Sequence, residues 1–71
     1  MGEIGKRLKE ERVRLHYTQA AFAAIGGVLV NAQGRYERGQ RSPNALYLAR
    51  LAGIGVDLEY VLTGRRHQKI L

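Results

Sequence analysis

The sequence predicts an all-α fold, one compact domain of five short helices. Apolar residues recur at three- and four-residue spacing, and no stretch alternates as a half-buried strand would. Cap-forming residues and glycines (Thr18, Gly26-Gly27, Gly39, Ser42-Pro43, Gly53, Asp57 and Gly64) divide the chain into five helical stretches. Proline occurs once, at Pro43, so little else interrupts a helix. At 71 residues the chain is near the lower limit for folding without a metal or a disulfide, and with no cysteine a disulfide framework or a thiolate metal site is excluded. His16 and His67 are far apart and no carboxylate pair brackets them, so no metal site is expected.

Taken in order, residues 3 to 15 read as a surface helix. Ile4, Leu8 and Leu15 mark one side, with Glu11 and Arg12 on or beside that stripe. Glu3 with Arg7, and Glu10 with Arg14, stand at the i, i+4 spacing that adds about 0.2–0.5 kcal/mol per pair. His16 falls where this helix ends. Thr18 can cap a second, Ala-rich helix that opens at Gln19 and breaks at Gly26-Gly27, since glycine enters left-handed backbone space cheaply. A third helix runs to about Arg38 and stops at Gly39. Ser42 is expected to cap a fourth, with Pro43 in its first position, where a missing N–H costs nothing. Ala45, Leu46, Leu48, Ala49, Leu51 and Ala52 give that helix a broad apolar face, and Gly53 ends it. Asp57 caps a fifth, Leu58 to Leu62, with Val56 and Val61 at the two positions of a hydrophobic staple and Gly64 closing the helix. Residues 1–64 then form the domain. The remainder, 65–71, has no periodicity and reads as a basic, disordered tail whose Arg65, Arg66 and Lys69 are solvated.

Two short helices joined by a tight turn with glycine make a helix-turn-helix, whose second member can lie in the DNA major groove. On the third helix the face with Val30, Asn31, Gly34, Arg35 and Arg38 has no large apolar side chain except Val30. The opposite face, with Leu29, Ala32, Gln33 and Tyr36, is expected to pack inward. Phe22, Leu46 and Leu51 are also expected in the core, while Tyr47 and Tyr60 could be half-buried or could line a dimer face. A net charge of +6 and a pI near 10.3 favour a polyanion, nucleic acid ahead of an anionic membrane. Arg35, Arg38 and Arg41 gather around the end of the third helix. Arg35 could give two parallel hydrogen bonds to guanine, Asn31 could bond adenine in the same bidentate way, and Val30 could touch a thymine methyl. Arg35 could instead rest on a phosphate or in solvent, and Asn31 could instead cap the helix.

The longest uncharged run, residues 18 to 34, is too short and too polar to span a membrane, and no signal pattern opens the chain, so a cytoplasmic protein is expected. There is no nucleophile with a base, no carboxylate pair and no phosphate-binding loop after the paired glycines. No enzyme, no cofactor and no small-molecule ligand are expected.

The segments IGKRLKEER, TQAAFA, GGV and YERGQRSP, taken together, resemble the DNA-binding domain of lambdoid phage repressors and Cro-type regulators. These belong to the XRE group of bacterial helix-turn-helix proteins. The resemblance runs without a gap from about Ile4 to Gly64, and RSPNALYLARLAGIGVDLEYVLTG is similar to the closing helices of a phage- and prophage-associated subgroup. It implies a lambda-repressor-like fold and a repressor-type, sequence-specific regulator bound to double-stranded DNA. Such a regulator acts by occupancy, as a homodimer formed on a palindromic operator with half-sites ~34 Å apart. By position, the resemblance places Gln19 on a phosphate, its amide also bracing a side chain of the reading helix. It places Val30, Asn31, Gly34 and Arg35 at the bases, and Arg38, Gly39 and Arg41 on the DNA backbone. Arg12 and Glu37 become an architectural pair, and Leu58, Val61 and Leu62 a self-association surface.

Three residues depart from the family pattern. Leu29 stands where a serine or threonine caps the reading helix, a loss of about 1 kcal/mol unless the helix starts later with Asn31 as its cap. Gly34 weakens the helix but permits close approach to a duplex. Gln33 stands where an aliphatic residue is common. A different class of function also fits: a partner-binding, antitoxin-like helix-turn-helix module with weak, sequence-blind DNA binding. The chain could instead be the N-terminal part of a longer repressor.

Overall fold

A computed structural model describes residues 2–66. The helices follow as α1 (Gly2–Arg14), α2 (Gln19–Gly26), α3 (Val30–Glu37), α4 (Ala45–Ala52) and α5 (Leu58–Thr63), with no strand among the described residues. Each helix sends at least one side chain into a shared core: Leu8, Phe22, Tyr36, Tyr47 with Leu51, and Val61, joined by Val56 from the turn before α5. Tyr36 meets the Tyr47 ring edge-on at 4.9 Å between centroids, an arrangement that suits the ring quadrupoles. In this frame α1 packs on α3 and α5, while α2 packs on α3 and α4.

The helix boundaries follow from single residues. Thr18 Oγ1 accepts the Ala21 N–H at 3.1 Å and starts α2. The glycine pair that ends α2 divides two tasks. Gly27 takes φ +77°, and a Cβ on Gly26 would lie 2.3 Å from the Tyr47 ring, so α4 can pack against α2 only over a bare backbone. Asp57 Oδ1 caps α5 through the Tyr60 N–H at 3.0 Å, and Gly64 closes it at φ +81°. Val56 and Val61 are both buried, as a staple requires.

Several expectations need correction. The cap of α4 is Asn44, whose Oδ1 accepts the Tyr47 N–H at 2.9 Å; Ser42 and Pro43 precede the helix. Asparagine is a strong cap and a poor interior residue, so the helix starts after it. Leu46 is not core but 62% exposed. Leu46 shares its side of α4 with the exposed Arg50 one turn on, and the helix turns Tyr47 and Leu51 inward instead. Leu29 is 78% exposed and leaves the inward face of α3 to Gln33 and Tyr36. Val61 is fully buried and cannot belong to a self-association surface; of its two assigned roles, the staple prevails.

The charge pairs of α1 also differ. Arg14 reaches back three residues to Glu11, with Nε–Oε2 2.9 Å and Nη2–Oε1 2.7 Å, and does not pair with Glu10. Arg7 gives its Nε to the Val61 carbonyl at 3.0 Å and ties α1 to α5, so the Glu3–Arg7 pair is not among the ion pairs of the described residues. Arg66 is not free in solvent. It bonds Glu11 at 3.0 Å and Asp57 at 3.4 Å, and its guanidinium lies 3.8 Å from the centre of the Tyr60 ring. His67 and Lys69 lie outside the described residues.

Candidate nucleic-acid interface

Leu29 settles where α3 begins. Its backbone is extended (φ −74°, ψ 154°), its side chain makes no capping bond, and helical geometry starts at Val30. Asn31 is therefore inside the first turn, exposed, and does not cap the helix. The C-terminal end turns out of the helix at Arg38 and Gly39, the latter at φ +75°. Gly39 gives its N–H to the Tyr36 carbonyl at 3.1 Å.

Two shallow depressions flank the exposed side of α3. One is lined by Gln19, Val30, Asn31, Gly34, Arg35 and Arg38, which brings together on one surface all four residues assigned to base reading and two of those assigned to phosphate. The other runs from Leu29 past Arg35 to Arg41 and Asn44. Asn31 and Arg35 line both, so they stand on the crest between them. No carboxylate lines either depression, whereas Arg35, Arg38 and Arg41 are all exposed there. A surface of this sign attracts phosphates from a distance and holds them by charge-assisted bonds. Gly39 lies outside both linings, and Gly34 is buried beneath the Arg38 side chain.

The acidic residue of α3 is turned inward and acts as a fastener. Arg12 grips Glu37 with both ends of its guanidinium, Nε–Oε2 at 2.7 Å and Nη2–Oε1 at 3.1 Å, and its remaining Nη1 holds the Tyr17 carbonyl at 2.9 Å. Gln19 Nε2 donates to Glu37 Oε1 at 3.1 Å, and Gln33 Nε2 donates to Oε2 at 2.7 Å. The buried Gln33 amide is satisfied at its other end by the Tyr47 hydroxyl, which donates to Gln33 Oε1. Burial alone would raise the Glu37 carboxyl, but the bonds from Arg12, Gln33 and Gln19 outweigh it and hold the group below its ordinary value. Glu37 stays charged, and through it α1, α2 and α3 are joined at one carboxylate.

Gln19 is thus held by the protein at one N–H while it lines the outer depression. It is the first residue of α2, where Thr18 takes the Ala21 N–H and leaves the Gln19 and Ala20 N–H groups at the positive end of the helix. Sequence reasoning missed two residues of this surface. Leu29 was expected inside, and its signal was the absent cap itself. Asn44 carries the α4 cap beside Arg41, and its signal was an asparagine ahead of an apolar run.

A model of the helix-turn-helix family matches residues 8–60 of the chain. The protein belongs to the XRE-type helix-turn-helix family. The matched span runs from Leu8 in the core of α1 to Tyr60 in α5 and includes all of α2 and α3. The chain is also similar to the SPbeta prophage-derived uncharacterized HTH-type transcriptional regulator YonR of Bacillus subtilis (strain 168), with 34% identity over 66 residues. That alignment covers 92% of this chain and 61% of the relative, so the chain spans somewhat under two thirds of that protein's length. No solved structure matches. Among the described residues no helix is long and apolar enough to cross a membrane.

Proposed function

We propose that the protein is a sequence-specific regulator of transcription, of the phage or prophage repressor type, that reads the major groove of double-stranded DNA with α3. One observation carries this reading: α3 is locked from behind by the Glu37 fastener and turns an exposed, carboxylate-free crest of Asn31 and Arg35 to solvent, with Val30 beside it. Arg35 matches the two acceptors of guanine, Asn31 the donor and acceptor of adenine, and Val30 a thymine methyl. Gln19 and Arg41, one in each flanking depression, take the phosphates on either side. Two copies meet on a palindromic site through the outer side of α5, where Leu62 is 46% exposed and Leu58 half-buried. Occupancy of the operator in the cytoplasm of the bacterial host is the mechanism, without enzyme chemistry or a cofactor.

The test is selection of bound duplexes from a random pool by the purified chain, followed by titration of the preferred site at several salt concentrations. The expected result is a palindromic preference, with Arg35→Ala relaxing one base position in each half-site at a loss of ~1–3 kcal/mol. Retention of no duplex above background in moderate salt would overturn the reading. The exposed Leu29 and Val30 favour a second one, a partner-binding module. Its signature is sequence-blind DNA binding alongside a tight protein complex.

A further inference from the structure

Gly34 occupies the middle of the reading face, one helical turn after Val30, yet it is buried, because Arg38 folds back one turn over it. A Cβ built on Gly34 would stand 2.9 Å from Arg38 Nη1 and 3.6 Å from the guanidinium carbon. The three nearest side-chain atoms to that Cβ all belong to the Arg38 guanidinium, so the glycine forms a slot whose occupant is the guanidinium. Arg38 Nε and Nη2 lean on Gln40 Oε1 at 3.4 and 3.3 Å, which steadies one edge of the guanidinium, and the arginine lines the same depression as Val30, Asn31 and Arg35. A base edge approaching position 34 therefore meets the N–H groups of Arg38 before it meets the backbone of α3.

We infer that Arg38 is a base-reading residue, laid into the groove face through the slot left by Gly34, and that it selects guanine through its O6 and N7 acceptors. This rests on the DNA-reading function proposed above and assigns Arg38 a task other than gripping the backbone. A planar fork suits two adjacent acceptors on one base edge, and a phosphate anchor needs no such slot. Glycine inside a helix is otherwise a cost, and here that cost is tied to the position of a single side chain.

Duplex selection and titration with the wild type, Arg38→Ala, Arg38→Lys, Gly34→Ala and the double variant Gly34→Ala/Arg38→Ala test the inference, with circular dichroism verifying the fold of each. Arg38→Ala is expected to abolish a guanine preference at one position per half-site, about 5- to 150-fold in relative affinity. Arg38→Lys keeps the charge and the salt dependence but loses the same preference. Gly34→Ala, which raises the unfolding midpoint by favouring the helix, weakens it too. The double variant discriminates no worse than Arg38→Ala alone, as coupled neighbours require. If Arg38→Ala weakens all duplexes alike, lowers the salt slope by about one and leaves the selected motif unchanged, Arg38 is a phosphate anchor and the inference fails. If the wild type selects no motif, the underlying reading fails and the inference with it.

Discussion

Replacing Glu11 with glutamine probes the second buried carboxylate, which joins α1 to the start of α5 and to Arg66. Its side chain is fully buried and accepts from Arg14, Arg66 and the Asp57 N–H. The paired bonds from Arg14, strengthened by those of Asp57 and Arg66, outweigh burial and lower the carboxyl from its ordinary 4.5 to about 2. A group depressed on folding stabilises the fold fully above its unfolded value, and that stability disappears as pH falls through the folded one. A carboxyl at about 2 in the fold and 4.5 in the unfolded chain contributes about 3 kcal/mol at neutral pH. Arg14 and Arg66 are 48% and 46% exposed, so screening reduces this to ~2–3 kcal/mol in moderate salt. In a domain whose total stability is of the order of 4–10 kcal/mol, such a loss is a large fraction. Urea unfolding of the wild type and Glu11→Gln between pH 7 and pH 2 provides the measurement. The variant should be less stable at pH 7, and the two curves should converge as pH falls from 5 towards 2. A difference that stays constant over that interval would show that the charge of Glu11 contributes nothing, and the argument would be wrong.

Other expectations concern α3. Leu29→Thr restores a capping oxygen and should raise stability by about 1 kcal/mol, or roughly 4–8 °C in Tm by calorimetry. An unchanged Tm would mean that the first turn of α3 needs no cap. Gln33→Leu leaves the Tyr47 hydroxyl without its acceptor and removes one donor from Glu37, which should cost about 1–3 kcal/mol in chemical denaturation despite the more apolar side chain. An equally stable variant would show that the buried amide is dispensable. Arg35→Ala, assayed by duplex selection, should retain the fold and the other base preferences while losing one position.

The number of helices was legible because the ends of α2 and α5 are each set by one residue whose chemistry acts locally: Thr18, Gly27, Asp57 and Gly64 each hold a cap or a left-handed turn. The rotation of α4 is misread when Leu46 is counted with the apolar face, because Arg50, one turn on, shares its side and is exposed. The same limit applies to buried polar groups. Gln33 reads as an anomaly until Tyr47, fourteen residues on, meets its carbonyl oxygen. Glu11, a carboxylate on an apolar stripe, finds Arg66 from the far end of the chain. The exposure of Val30, Asn31, Arg35 and Arg38 was legible from their helical spacing. Whether Asn31 caps or lies within the helix was decided by the backbone of Leu29, on which the sequence is ambiguous.

Four helices meet at the Glu37 junction, three by direct bonds and α4 through the Tyr47 hydroxyl. A scaffold closed in this way offers little freedom to tilt α3 or slide it along its axis without uncoupling a charged group from its donors. If the chain reads DNA as proposed, adaptation to an imperfect target comes from long, exposed arginines and from bending of the duplex, not from the backbone of the domain. Affinity for a near-cognate site should then follow the deformability of its base steps, including steps that no side chain touches.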